Sequence, residues 1–259
     1  RTGSWDIWTE IYGSMASSGS SESTLWVGYV GAHIFISPDA LVGIMGQVDW
    51  ADETNSAVNS NADGVGWMVG PYIAGKIPNQ NVYYEARASW GRSDNDVSPI
   101  GTYTDSFETE RWMALAKLEG SYHLGNVTLK PEVRVAYYEE TQESYTDSSG
   151  IPKLIPEQTI SLGEFRFGPN FTWDHILDDG TLFQPSVGIT GVFNFGIQNN
   201  AASQGFALGD EELRARFAAG FSATNSMGMI LTASGFYDGI GIDDYYSYGG
   251  SVKLTVPVN

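Results

Sequence analysis

Between Asn126 and Glu140 hydrophobic and polar positions alternate strictly: Lys130, Glu132 and Arg134 take one parity, and Leu129, Pro131, Val133, Val135 and Tyr137 take the other. A period of two means a strand, because successive side chains point to opposite faces. The alternation returns along the whole chain without a compensating helix. Read between turn signals, it predicts twelve strands at approximately 4–13, 24–36, 40–50, 64–76, 81–91, 109–122, 127–139, 159–173, 181–195, 211–223, 228–238 and 245–258. The connections alternate as well. Long polar runs ("SMASSGSSES", "ADETNSAVNSNAD", "RSDNDVSPIGTYTDSFE", "ETQESYTDSSGIPKLIPEQ", "GIQNNAASQGFALGD") change places with short ones ("SPD", "IPNQ", "HLGN", "DHILDDG", "TNS"), and "DGIGIDD" closes the series. An up-and-down meander with two unlike ends is the layout of an outer-membrane barrel, with short periplasmic turns and long extracellular loops.

Alternation alone would equally fit a soluble β-sandwich or lectin, so the composition of the two faces decides. Four strands have one face without any charge: Trp112, Ala114, Ala116, Leu118; Phe165, Phe167, Pro169, Phe171, Trp173; Phe183, Pro185, Val187, Ile189, Phe193; and Leu213, Ala215, Phe217, Ala219, Phe221. That face suits lipid. The opposite parity gathers Lys76, Arg87, Arg111, Lys117, Lys130, Arg134, Arg166, Arg214, Arg216 and Lys253, with Glu85, Glu119, Glu132 and Glu164 one or two places away. An outward Arg or Lys would cost about 2–4 kcal/mol at the bilayer midplane, so these charges are expected to line a lumen. Most other acids, Asp52, Glu53, Asp63, Asp94, Asp96, Asp105, Glu139, Glu140, Glu143, Asp147, Asp210, Glu211, Asp243 and Asp244, fall in or beside the long connections. The expectation is a positively biased tube with an acidic rim. On the lipid parity, Trp50, Trp90 and Tyr137 end upward strands and Trp112, Phe165 and Tyr246 begin downward ones, which predicts an aromatic girdle on the long-loop side.

Composition sharpens this picture. The chain has 259 residues, no cysteine and a formal charge of −18, which rules out a disulfide framework and a thiolate metal site and argues against nucleic acid. It has 31 Gly with 8 Trp, 14 Tyr and 12 Phe, an all-β inventory with much aromatic surface to place. No apolar run approaches the ~18 residues of a transmembrane helix. Arg1 is not an initiator, so a mature or excised fragment is expected, forming a single barrel domain over residues 1–259.

The last fifty residues, "GDEELRARFAAGFSATNSMGMILTASGFYDGIGIDDYYSYGGSVKLTVPVN", carry a family resemblance. The acidic entry Asp210 to Glu212, the Arg214 and Arg216 of "RAR", the "AGFSA" strand, "SGFYDG" from Ser234 to Gly239 and "YGGSVKLTV" from Tyr248 to Val256 resemble the end of an autotransporter translocator domain, the carboxy-terminal barrel of type V secretion. "GNVTLKPEVRVAYYEE" is similar to that family's strand after a Gly-Asn turn, and strand order extends the resemblance over nearly the whole chain. The terminal "VPVN" departs from the aromatic ending usual there. The resemblance implies a barrel in the outer membrane of a Gram-negative bacterium that exports an N-terminal passenger and anchors it at the cell surface. It implies a plug helix upstream of the first strand; with that strand starting near Ser4, helix and passenger are expected to be absent from this chain. Its implied partners are outer-membrane lipid and lipopolysaccharide, the barrel-assembly machinery, periplasmic chaperones and its own passenger; a monomeric barrel is expected.

The expected site is then the lumen surface. Glu85, Arg87, Arg111, Lys117, Glu119, Lys130, Glu132, Arg134, Glu164, Arg166, Arg214 and Arg216 are predicted to hold the plug helix or transiting chain through charge-assisted hydrogen bonds; the plainer reading is that they only pair with one another. A diffusion porin is the alternative function, marked by a larger strand count. A barrel-borne hydrolase is the lesser one: His33, His123 and His175 lie in or near short turns with no serine at a useful offset. No enzyme activity, cofactor or metal is expected, since Asp178–Asp179 and Asp243–Asp244 lack the spaced oxygens of a calcium loop and suit turns.

Overall fold

The computed structural model describes residues 2–199 and 213–258. Twelve strands build a closed antiparallel barrel: β1 Trp5–Ser18, β2 Ser21–Ser37, β3 Ala40–Asn55, β4 Ser60–Lys76, β5 Val82–Ser98, β6 Asp105–Gly120, β7 Val127–Gln142, β8 Gln158–Trp173, β9 Leu182–Asn199, β10 Arg214–Thr224, β11 Ile230–Ile240 and β12 Tyr245–Val258. Each pairs with its sequence neighbours, and β1 joins β12 in unbroken register from Trp5 opposite Val258 to Ser18 opposite Tyr245. Closure leaves no edge whose backbone groups would face lipid unpaired. Short extra ladders sit in the connections: Tyr122–Leu124 on β7, His175–Ile176 on β9, and Tyr145–Thr146 with Leu154–Ile155 between β7 and β8.

The apolar parity faces outward. Ile7, Ile11, Val30, Ile44, Leu118, Val133, Phe167, Ile189, Phe217 and Val252 are exposed, while Asp49, Arg111, Arg214 and Asp238 are buried inside. This inverts the soluble pattern, as lipid contact requires.

One expectation needs correcting. Crossing the hydrocarbon takes about ten residues of a tilted strand, yet β3 and β6 each have 16 and β5 has 17. Much of the sequence expected to be loop is therefore ladder. "SMASSGSSES" is the top of a β1–β2 hairpin turning at Gly19 and Ser20, and most of "ADETNSAVNSNAD" continues β3 and β4. The strands do not stop at the girdle: β3 runs past Trp50 to Asn55, β5 past Trp90 to Ser98, and β6 begins at Asp105, ahead of Trp112. Both faces are polar there, so the apolar parity that betrays a strand is missing. The predicted start of the tenth strand at 211, with Asp210, Glu211 and Glu212, lies outside the described residues.

Candidate functional site: the lumen wall

The lumen parity brings nine of the twelve predicted ladder residues into ion pairs. On β6 and β7, Lys117 Nζ lies 2.8 Å from Glu119 and 3.1 Å from Glu132. Glu164 on β8 is held between Arg134 at 2.7 Å and Arg166 at 2.7 Å. Arg214 donates to Asp238 through Nε at 2.8 Å and Nη2 at 3.2 Å; Arg216 lies 3.9 Å from the same carboxylate and over the Phe236 ring. Arg111 donates twice to Asp49, at 2.9 and 2.5 Å, reaching from β6 across β5 and β4 to β3. It passes over Gly66, where any Cβ would collide with its Nη2, so this backbone position needs glycine.

Three predicted residues differ. Among the described residues, Glu85, Arg87 and Lys130 have no ion-pair partner within 4 Å. Glu85 sits opposite Lys117 in register and lines a cavity of about 590 Å³ at the short-turn end with Lys76, Lys117 and Glu119. Arg87 keeps a buried Nε without a hydrogen-bond partner.

Several lumen residues were not anticipated. Asp49 and Asp238 are the acids that hold Arg111 and Arg214. Glu140, assigned to the rim with Glu139, faces inward and accepts from Thr109 at 2.5 Å, Tyr138 at 2.6 Å and Ser93 at 3.0 Å. At the short-turn end, His33 contacts Tyr72 Oη through Nδ1 at 2.8 Å and Asp6 through Nε2 at 3.3 Å, while Trp8 Nε1 donates to Tyr72 at 2.7 Å. With Asp6, Asp49, Glu140 and Asp238 added, the lumen is close to charge-balanced, which corrects the expectation of a positively biased tube. Parity already pointed there: Met45, Gln47 and Asp49 continue one face of β3, and Thr232, Ser234, Phe236 and Asp238 one face of β11.

Balance overall conceals a local excess. Arg214, Arg166, Arg134 and Lys117 follow one another along a single register row across β10 to β6, with Val192 of β9 between the first two. Arg134 also feels Arg87, and Arg216 feels Arg166. Like charges directly opposite one another are unfavourable in a sheet, and here Arg134 and Arg166 share Glu164, Arg214 and Arg216 share Asp238, and Arg87 has no ion-pair partner among the described residues.

Outside, Trp50, Trp90, Trp112, Phe165 and Tyr246 are exposed and Tyr137 is half-buried, packed against Trp112 with centroids 5.1 Å apart. Trp26 and Trp67 also join this ring, Trp26 opposite Trp50 in register and Trp67 edge-on to Trp90 at 5.6 Å. Trp90 donates to Glu110 at 2.8 Å and Trp112 to Glu139 at 3.1 Å, tying indole edges to carboxylates on the polar side. Glu53 lies three residues past Trp50, roughly 10 Å farther along β3, clear of the hydrocarbon. It has no hydrogen-bond or ion-pair partner among the described residues, and burial pushes its carboxyl up to about 7.

The model of the autotransporter beta-domain family matches residues 7–235. Among solved structures, the chain is similar to the beta domain of the Bordetella autotransporter BrkA (TM-score 0.75, 18% identity, covering 96% of this chain and 98% of that one). It is also similar to the translocator domain of NalP from Neisseria meningitidis (0.74, 13%, covering 99% and 89%) and to the transport unit of AIDA-I from Escherichia coli (0.71, 13%, covering 97% and 90%). None of the curated proteins matches in sequence.

Proposed function

The chain belongs to the autotransporter β-domain family, and from that premise we propose that its lumen wall on β5 to β10 holds the polypeptide that occupies the barrel. The domain is a translocator barrel of the Gram-negative outer membrane, serving export and surface anchoring of a linked N-terminal passenger. A diffusion porin and a barrel-borne hydrolase are not favoured by this family. The observation that carries the proposal is the row of cations: Arg134, Arg166, Arg214 and Arg216 share two carboxylates, and Arg87 has no ion-pair partner among the described residues. Such a surface suits an occupant presenting carboxylates or backbone carbonyls, through charge-assisted hydrogen bonds. The lumen thus holds a chain rather than catalysing a reaction. In the same reading, residues 1–259 are one monomeric barrel domain, folded with the barrel-assembly machinery and periplasmic chaperones and surrounded on its loop half by lipopolysaccharide.

The test removes the cluster without stranding a charge. A triple substitution Arg134→Gln, Glu164→Gln and Arg166→Gln in the passenger-bearing protein should raise single-channel conductance and antibiotic sensitivity. Values unchanged from the parent, in a barrel that still folds, would reject the holding role.

A further inference from the structure

A second cavity lies at the loop end of the lumen, with a volume of about 200 Å³, and every one of strands β1 to β8 contributes to its lining. Arg111 and Asp49 sit two residues deeper than the lining residues Thr109 and Ala51, so their pair lies beneath it. Leu25, Phe107 and Ile160 supply apolar wall. Among its polar groups, Glu140 already accepts from Ser93, Thr109 and Tyr138, and Asn95 donates to Ser93. Two further groups of the lining carry the inference. Gln142 is 94% buried, yet its Nε2 has no hydrogen-bond partner. Glu53, half-buried on the facing strand β3, has neither hydrogen bond nor cation among the described residues. A buried amide donor without an acceptor is unfavourable. A half-buried carboxylate without a counter-ion is unfavourable as well.

We propose that this mouth pocket binds a primary ammonium ion whose short apolar frame also carries a carbonyl. The ammonium meets Glu53, the carbonyl accepts from Gln142 Nε2, and the frame lies against Leu25, Phe107 and Ile160. The volume admits one amino-acid-sized unit. Two sources have this chemistry, a free amino-acid amide arriving from outside the cell and a residue of a polypeptide in the lumen. The site is independent of the cation row, which has the opposite charge preference.

Isothermal titration of the refolded chain with L-leucinamide should give saturable binding, weakened about tenfold or more by Glu53→Gln and by Gln142→Leu. Asp174→Asn at the far end of the barrel should leave it unchanged. The neutral analogue 4-methylpentanamide should bind at least tenfold more weakly than leucinamide. Heat-modifiable mobility on gels confirms that each variant is a folded barrel, and if one substitution fails there, the other carries the test. Absence of saturable binding would overturn the proposal, as would equal affinity for the neutral amide, or folded variants indistinguishable from the parent. Repeating the titration on the passenger-linked protein separates the sources: binding retained assigns the pocket to a free molecule, and binding lost assigns it to the protein's own upstream chain.

Discussion

The two sides of the lumen are built differently. From β3 to β8 the wall carries Asp49, Arg111, Lys117, Glu132, Arg134, Glu164 and Arg166, which reach across strands and hold one another at hydrogen-bond distance, and Glu140, held by the hydroxyls of Ser93, Thr109 and Tyr138. From β9 to β12 it carries chiefly small groups: Ser186, Gly188, Thr190, Ala218, Gly220, Ser222, Thr232, Ser234, Gly249 and Ser251, with Arg214, Arg216, Phe236 and Asp238 toward the loop end and Lys253, over the Trp8 ring, toward the short turns. Paired ions in fixed geometry stiffen one side and present oriented donors; small side chains leave room on the other. A chain in such a tube would be gripped on one wall and free to slide along the opposite one.

Substitutions should separate the walls by size of effect. Asp49→Ala strands the buried Arg111 guanidinium, and breaking such a pair costs about 3–5 kcal/mol; urea unfolding in detergent, followed by tryptophan fluorescence, should show the loss. The double change Asp49→Leu with Arg111→Met should recover most of it. Glu164→Gln removes the charge shared by Arg134 and Arg166, with an expected loss of about 1.5–3 kcal/mol. A smaller effect should follow from pH at the charged wall's mouth. The folded-state carboxyl of Glu53 sits up to about 7 against a reference of 4.5, so its stabilising contribution is full below 4.5 and lost as pH rises through 7. The melting temperature should therefore be higher at pH 5 than at pH 8 by an amount that Glu53→Gln reduces. Ser222→Ala on the smooth wall should stay within about 0.5 kcal/mol of the parent. A large loss there would erase the contrast.

How much of this was legible in the sequence follows from where parity is informative. Inside the hydrocarbon, one face must be apolar, so the alternation around Lys130 to Tyr137 and Phe165 to Trp173 gives strand, face and lumen charge at once. Past Trp50, Trp90 and Tyr137 both faces are wet, alternation loses contrast, and strand extensions read as loops. Glu140 was lost to the rim for that reason. Asp49 and Asp238 each continue the polar parity of their own strand, so the alternation alone places both in the lumen. Pairing of Arg111 with Asp49, 62 positions apart and three strands away on the same wall, depends on the stagger and curvature of the sheet and no local pattern encodes it.

The absence of cysteine from the chain makes the central claim directly measurable. Single cysteines would be placed at Ala136, between Arg134 and Tyr138 on the charged wall, and at Ser234 on the smooth wall, opposite Gly220 and Ser251, in cells exporting the linked passenger with a second cysteine scanned through its barrel-proximal segment. Disulfide formation in the arrested intermediate should be several-fold faster from position 136 than from 234. Equal rates, or a preference for 234, would contradict a lumen that grips its occupant by the cation row.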